Sequence, residues 1–213
     1  MAAATPLADI MELRLDLMES FDLDVMISAG VKPVLVTYRS EEEGGKGTNN
    51  PEIASDYLVS AAQKGAHMID VEFKMPLEYR QRILDVRGKS GVIISAHIND
   101  RTPSRKELKR LLDDIIRAGG DVVKVVTMAH GWEDNFRVLE LIPAARGMDL
   151  KIIAFCMGRI GRMSRIFSLL MGGHMVFTSL EKGQESAPGQ ISVGEMKMML
   201  EYFAITHGSD LHS

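Results

Sequence analysis

The stretch Asp121-Val122-Val123-Lys124-Val125-Val126-Thr127 decides how this chain folds. Side chains alternate along a strand, so Val122, Lys124 and Val126 share one side while Val123 and Val125 take the other. β-Branched residues on both sides describe a strand covered on both faces, as in a parallel sheet flanked by helices. Lys124 then has no solvated face. Three outcomes relieve a buried ammonium: loss of its proton, pairing with a structural carboxylate, or snorkelling of the head to the rim. The first leaves a neutral amine, a nucleophile toward ketones and aldehydes that forms a Schiff base.

Outward from that strand, short apolar runs alternate with longer amphipathic stretches. The strand-like runs are residues 9–15, 33–38, 68–73, 91–96, 121–127, 150–155 and 174–179. Asn50-Pro51-Glu52 opens a helix to residue 64, with proline at its first position. Thr102-Pro103-Ser104 introduces a helix over 105–118, which Gly119-Gly120 closes. Residues 132–146 and 192–204 read as two more helices, the latter with Ser192 and Glu195 spaced as a capping box. Seven βα units result. Strict alternation implies parallel strands, because each crossover helix returns the chain to the same end of the sheet.

A doubly wound sheet should carry a glycine-rich nucleotide turn after an early strand, and none is present. Polar residues instead stand at or just after the C-terminal ends of the runs: Arg14, Arg39, Glu72, His97 and Thr127. In a barrel those ends meet at one mouth, where active sites lie. The expected fold is an α/β, (β/α)8 TIM-type barrel with seven readable units. Residues 1–205 form a single catalytic domain, and 206–213, polar with Gly208, a frayed tail.

Composition narrows the function classes. The 213 residues are 46% hydrophobic and 25% charged, with net charge −4 and no long run of either sign. Collagen-like, disordered and disulfide-scaffold classes are excluded, and no nucleic-acid-binding surface is suggested. The single cysteine, Cys156, allows no intramolecular disulfide and fits a reducing cytoplasm. No signal peptide or membrane span is readable, since Asp9, Glu12, Arg14 and Asp16 interrupt the N-terminal segment.

Candidate chemistry clusters at the strand ends. His97 ends the run Val92-Ile-Ile-Ser-Ala-His97, where an imidazole can move protons near neutral pH. Glu12, Arg14 and Asp16 fall on one face of the first run, which suits either a polar interior lining or a solvated edge. Arg39 precedes Glu41-Glu-Glu-Gly-Gly45, and Glu43 is the glutamate placed to fold back over the site. Met157-Gly-Arg-Ile-Gly-Arg-Met-Ser-Arg165 joins a strand to a helix start, so Ser164 and Arg165 suit a carboxylate or a phosphate. Ser186-Ala-Pro-Gly-Gln190 is a rigid turn suited to hydroxyl and carboxylate recognition. Cys156 and the scattered methionines read as packing. No metal-ligand spacing appears.

Taken in order, these segments resemble type I 3-dehydroquinate dehydratase. The matches are Glu12-Leu-Arg-Leu-Asp16, Arg39 with Glu43-Gly-Gly45, Ser95-Ala-His97, Lys124, Met157–Arg165 and Ser186–Gln190, spanning about residues 8–205. The resemblance implies a lyase of the shikimate pathway that converts 3-dehydroquinate to 3-dehydroshikimate through a Schiff base on Lys124. It implies His97 as acid and base, oriented by Glu43, and Arg165, Ser186 and Gln190 on the carboxylate. Glu12, Arg14 and Arg39 would line the hydroxyl-binding side. No metal or organic cofactor is needed, since the lysine supplies the electrophilic catalysis; a cytoplasmic homodimer is expected.

Two departures stand out. Many family members follow the histidine with an acidic residue and a phenylalanine lid, where this chain has His97-Ile-Asn-Asp100. The family also places a strand before Glu12-Leu-Arg-Leu-Asp16, for which residues 1–7 are too short. We expect a native start upstream of Met1, the alternative being a barrel closed imperfectly at that seam. Two other readings are a different class I Schiff-base lyase or aldolase that binds phosphate late in the chain, and a catalytically impaired barrel kept as a binding subunit.

Overall fold

The structure, a computed structural model, describes residues 7–29 and 31–203. Its contacts divide the chain into two compact units, Met1–His97 with Leu111–Lys124, and Ile98–Arg110 with Val125–Ser213. The first contains β1 (Met11–Arg14), α1 (Leu23–Ser28), β2 (Val34–Thr37), α2 (Pro51–Gln63), β3 (Met68–Glu72), α3 (Leu77–Val86) and nearly all of β4 (Gly91–Ile98). α4 (Arg105–Arg117) and β5 (Val122–Met128) contribute residues to both units. The second adds α5 (Trp132–Leu139), α6 (Leu141–Arg146), β6 (Lys151–Met157), α7 (Arg162–Leu170) and α8 (Val193–Tyr202).

The strands lie in sheet order β1-β2-β3-β4-β5-β6. Chain order equals spatial order, as in a βα barrel and unlike a doubly wound sheet, whose order reverses at a switch point. The first pairs are parallel, in the registers Met11↔Val34, Leu35↔Met68 and Met68↔Gly91. Among the described residues the sheet has six strands, so the architecture is α/β and consistent with a TIM-type barrel.

Local chemistry explains the first unit's elements. Asn50 accepts from the Glu52 N–H at 2.9 Å and Pro51 opens α2, as the sequence leads one to expect. Leu35, Val36, Ile69, Val92, Ile93 and Ile94 are buried on β2, β3 and β4. Each such side chain contributes about 1.5–3 kcal/mol of transfer free energy. Strand β1 is shorter than the expected run. After Arg14 the chain tightens into a 3-10 turn, Leu15–Leu17, so Asp16 leaves the strand face on which it was placed.

The second unit departs from expectation twice. The expected helix over 132–146 is broken at Glu140 into α5 and α6. Pro143 is the physical cause: it lacks an N–H for the Leu139 carbonyl, and its ring crowds that oxygen. The seventh expected strand, residues 174–179, forms no strand. It is irregular chain touching the sheet at one end, where the His174 N–H donates to Ile152 O at 2.7 Å, with Ser179 bridging Ser192 at the other. Its apolar pattern is real, but a strand needs a ladder partner as well as a pattern.

Ser192 and Glu195 do form the capping box that opens α8. Ile191, Met196 and Leu200 pack there with Ile166, Leu169, Leu170 and Val176. The expected tail, 206–213, lies outside the described residues. Among the described residues no helix is long and apolar enough to cross a membrane.

Candidate active site

Within the first unit, the C-terminal ends of β2, β3 and β4 and the buried start of β5 bring charge into the interior. Lys124 is 4% exposed, and its Nζ donates to Asp70 Oδ2 on β3 at 2.8 Å. Of the reliefs open to a buried ammonium, pairing with a carboxylate is therefore present. Asp70 is fully buried, and its other oxygen accepts from Arg39 Nη2 at 2.7 Å and Ser95 Oγ at 2.5 Å. Burial opposes ionisation of Asp70. The Arg39 and Lys124 charges more than offset it and hold the carboxyl well below the usual range.

Arg39 organises the rest. Its Nη1 donates to Glu43 Oε2 at 3.1 Å, Glu72 Oε1 at 3.1 Å and Ser95 Oγ at 3.0 Å. Glu72 is fixed further by the Ser40 N–H at 2.9 Å and the Ser40 hydroxyl at 2.7 Å. Burial alone would lower Arg39, but Asp70, Glu43 and Glu72 raise it, so the guanidinium is permanently charged.

Glu43 does fold back inward, carried by a 3-10 turn, Glu41–Glu43, that Ser40 caps and Gly44 ends. Its Oε2 lies 2.9 Å from His97 Nδ1 and accepts from the His97 N–H at 3.2 Å. Burial pushes the Glu43 carboxyl up to about 8, Arg39 pulling against it and Glu72 and Asp70 adding to it. His97 is driven well below its ordinary value by burial, then by the Arg39 and Lys124 charges, which keep the imidazole neutral. A neutral imidazole gripped at Nδ1 presents Nε2 for proton transfer. On the neighbouring strand, Glu12 Oε1 accepts from Thr37 Oγ1 at 2.8 Å, and Arg14 pairs side-on with Asp16.

The second unit holds a different arrangement. Arg165 on α7 is 1% exposed and stacks over the Phe155 ring, Cζ 4.4 Å from its centroid. Its Nη1 and Nη2 donate to the carbonyls of Phe177 at 3.5 Å and Pro188 at 3.3 Å, and its Nε has no hydrogen-bond partner among the described residues. Burial lowers the guanidinium to about 10. Pro188 belongs to the turn in which Gln190 Oε1 accepts from the Ser186 N–H at 2.8 Å and Gln190 Nε2 donates to Ser186 Oγ at 3.2 Å. Gly189 has φ +77°, and a Cβ there would stand 2.2 Å from the Gly158 carbonyl oxygen. Glycine is what lets the two motifs dock.

Ser164 corrects one expectation. Its hydroxyl is fully buried, donating to Gly161 O at 2.7 Å and accepting from the Cys156 N–H at 2.8 Å. It ties β6 to α7 and has no hydroxyl to offer an anion. Cys156 packs as expected, its thiol pushed up by burial.

The structure thus gathers Lys124, His97, Glu43, Arg39, Arg14 and Glu12 in one unit and Arg165, Ser186 and Gln190 in the other. Asp70 and Ser95 are the participants the sequence reading missed as chemistry. Asp70 shares a strand face with Met68 and Glu72, so the alternation that exposed Lys124 was available for it too.

Comparison with known proteins identifies the family and the fold. The chain matches the family model described as Type I 3-dehydroquinase over residues 1–207. It is 39% identical over 175 residues to a 3-dehydroquinate dehydratase of Syntrophobacter fumaroxidans, covering 81% of this chain and 73% of that protein. A Methanococcus maripaludis protein of the same name is 33% identical over 195 residues, covering 91% and 87%. Among solved structures, a type I 3-dehydroquinate dehydratase of Clostridium difficile with covalently modified comenic acid superposes with TM-score 0.84 and 26% identity, covering 95% of this chain and 85% of that one. A family match over residues 1–207, with relatives of this identity and coverage, places the chain in the type I 3-dehydroquinase family.

Proposed function

We propose that this protein dehydrates 3-dehydroquinate to 3-dehydroshikimate through an imine on Lys124. The observation that carries the reading is the buried Lys124 amine in the same charged cluster as the Glu43–His97 pair. The Lys124 ammonium first passes a proton to the neutral His97, and the freed Nζ attacks the C3 ketone; the carbinolamine oxygen takes that proton back and leaves as water, giving an iminium that draws electrons from C2. His97 Nε2 removes the C2 proton, and the electron pair moves into an enamine. The enamine re-forms the iminium as the C1 hydroxyl departs, taking that proton from His97 as water. Hydrolysis then releases the enone and restores Lys124. Acid–base help of this kind contributes about 10²–10⁴-fold.

Glu43 orients His97 and carries part of its proton affinity. Asp70 holds the Lys124 head. Arg165, with Ser186 and Gln190, takes the substrate carboxylate, which supplies the counter-charge that guanidinium lacks. Glu12, Arg14 and Arg39 serve the hydroxyl side, Arg39 through the carboxylates it holds. A (β/α)8 TIM-type barrel without its first strand, with residues 1–205 as one catalytic domain, is part of the same reading, as are a cytoplasmic setting and a homodimer. The test is turnover: 3-dehydroquinate should give the rising absorbance of a conjugated enone, and Lys124→Ala should abolish it. A wild-type chain that produces no enone contradicts the reading.

A further inference from the structure

We propose that Asp16 is a positioning residue that locks the Arg14 guanidinium and the loop carrying Glu43 into one rigid piece, setting the hydroxyl side and the acid–base pair together. The catalytic consequence rests on the dehydratase reading; the lock itself rests on geometry. The Asp16 side chain is fully shielded from solvent. Its Oδ1 accepts from Arg14 Nε at 2.8 Å and from the Arg39 N–H at 3.2 Å. Its Oδ2 accepts from Arg14 Nη2 at 2.7 Å and from the Lys46 N–H at 3.1 Å. An ionised carboxylate has about four acceptor sites, and here all are taken.

The two backbone donors bracket one loop. Arg39 is where the chain leaves β2, Lys46 is where it returns, and Ser40 and Gly47 close it in a parallel bridge. Gly45 lies so close to the stem that a Cβ would stand 2.1 Å from the Arg39 carbonyl oxygen. Between these ends the turn aims Glu43 at His97. On the other side, bidentate pairing fixes the plane of the guanidinium. It uses Nε and Nη2 and leaves the Nη1 edge of a side chain 16% exposed. Burial works against an ionised Asp16, but Arg14 and the two N–H groups more than offset it and lower the carboxyl. A purely structural clamp would change stability alone. A lock makes a change at Arg14 felt in the loop, which Arg14 reaches through Asp16.

The experiment takes the full chain as wild type, Asp16→Asn, Arg14→Gln and the double variant. It reads amide hydrogen exchange over residues 39–47 together with KM and kcat for 3-dehydroquinate. An asparagine turns an N–H₂ toward a guanidinium or backbone donor, so the Asp16→Asn loop should exchange about tenfold faster. Arg14→Gln should speed the same amides. Each single variant should raise KM about tenfold, and the double should add little beyond the larger single, as coupled residues do. Unchanged loop exchange in Arg14→Gln, or effects on KM that multiply, would overturn the lock. A wild type without turnover would remove the dehydratase reading, while the exchange result would still decide whether the lock exists.

Discussion

Two arginines in this protein are buried almost completely and are held in opposite ways. Arg39 faces Asp70, Glu43 and Glu72, with Ser95 completing its partners. Arg165 rests on two carbonyl oxygens and the face of Phe155, and its Nε has no hydrogen-bond partner among the described residues. The same burial leaves the first raised and the second lowered to about 10. Taking a cation out of water costs several kcal/mol, and Arg39 is repaid by carboxylates of its own chain. Among the described residues, Arg165 has two carbonyl dipoles and an aromatic face. The difference separates an arginine paired within its own unit from one held by carbonyls and a ring, and the proposed carboxylate site at Arg165 rests on that contrast.

The comparison breaks most readily at Arg39. Arg39→Met strands three carboxylates in a closed interior and should destabilise the chain by about 3–5 kcal/mol, measured by urea unfolding. Arg165→Met should leave the unfolding midpoint unchanged or slightly higher, because it removes an unpaired charge. Its effect should appear in kcat/KM for 3-dehydroquinate, as a loss of about 2–5 kcal/mol of transition-state binding. If both variants unfold equally early and bind substrate equally well, the two arginines have the same role and the comparison is wrong.

A pH series sharpens the Arg39 side. Glu43 rises from an ordinary 4.5 to about 8, so the folded chain binds this proton more tightly than the unfolded chain. Between those values the folded state holds more protons at this group, and its contribution to stability falls as pH rises. The slope should reach at most about 1.4 kcal/mol per pH unit. Glu43→Gln should flatten that slope in urea unfolding followed from pH 5 to 8. An identical slope in both proteins would mean Glu43 is ionised throughout. The smallest effect belongs to Ser186→Ala, which removes one hydroxyl from the turn beside Arg165 and should cost about 1 kcal/mol in substrate binding, a severalfold rise in KM.

Much of this was legible in the chain. The strand around Lys124 declared itself, because an alternating apolar pattern tolerates no unexplained ammonium, and the caps at Asn50 and Ser192 are local hydrogen-bond chemistry. Residues 174–179 misled because their apolar character is local while a strand's ladder depends on a partner elsewhere. The break at Pro143 was readable from proline's missing N–H, yet the amphipathic pattern runs through it. Ser164 looked like an anion ligand because spacing shows that a hydroxyl is near a helix start, not which way it turns. Asp70 meets Lys124 across 54 positions of chain. Only the register of β3 against β4, and the place of β5 in the sheet, bring the two together.

The central claim is that Lys124 is the nucleophile, and reductive trapping tests it most directly. The protein is incubated with 3-dehydroquinate and borohydride, digested, and mapped by mass spectrometry. A stable adduct should appear on the peptide containing Lys124 and vanish in Lys124→Ala. His97→Ala should still be trapped, because it slows proton transfer more than imine formation. Turnover with no adduct, or an adduct confined to another lysine, would contradict the account.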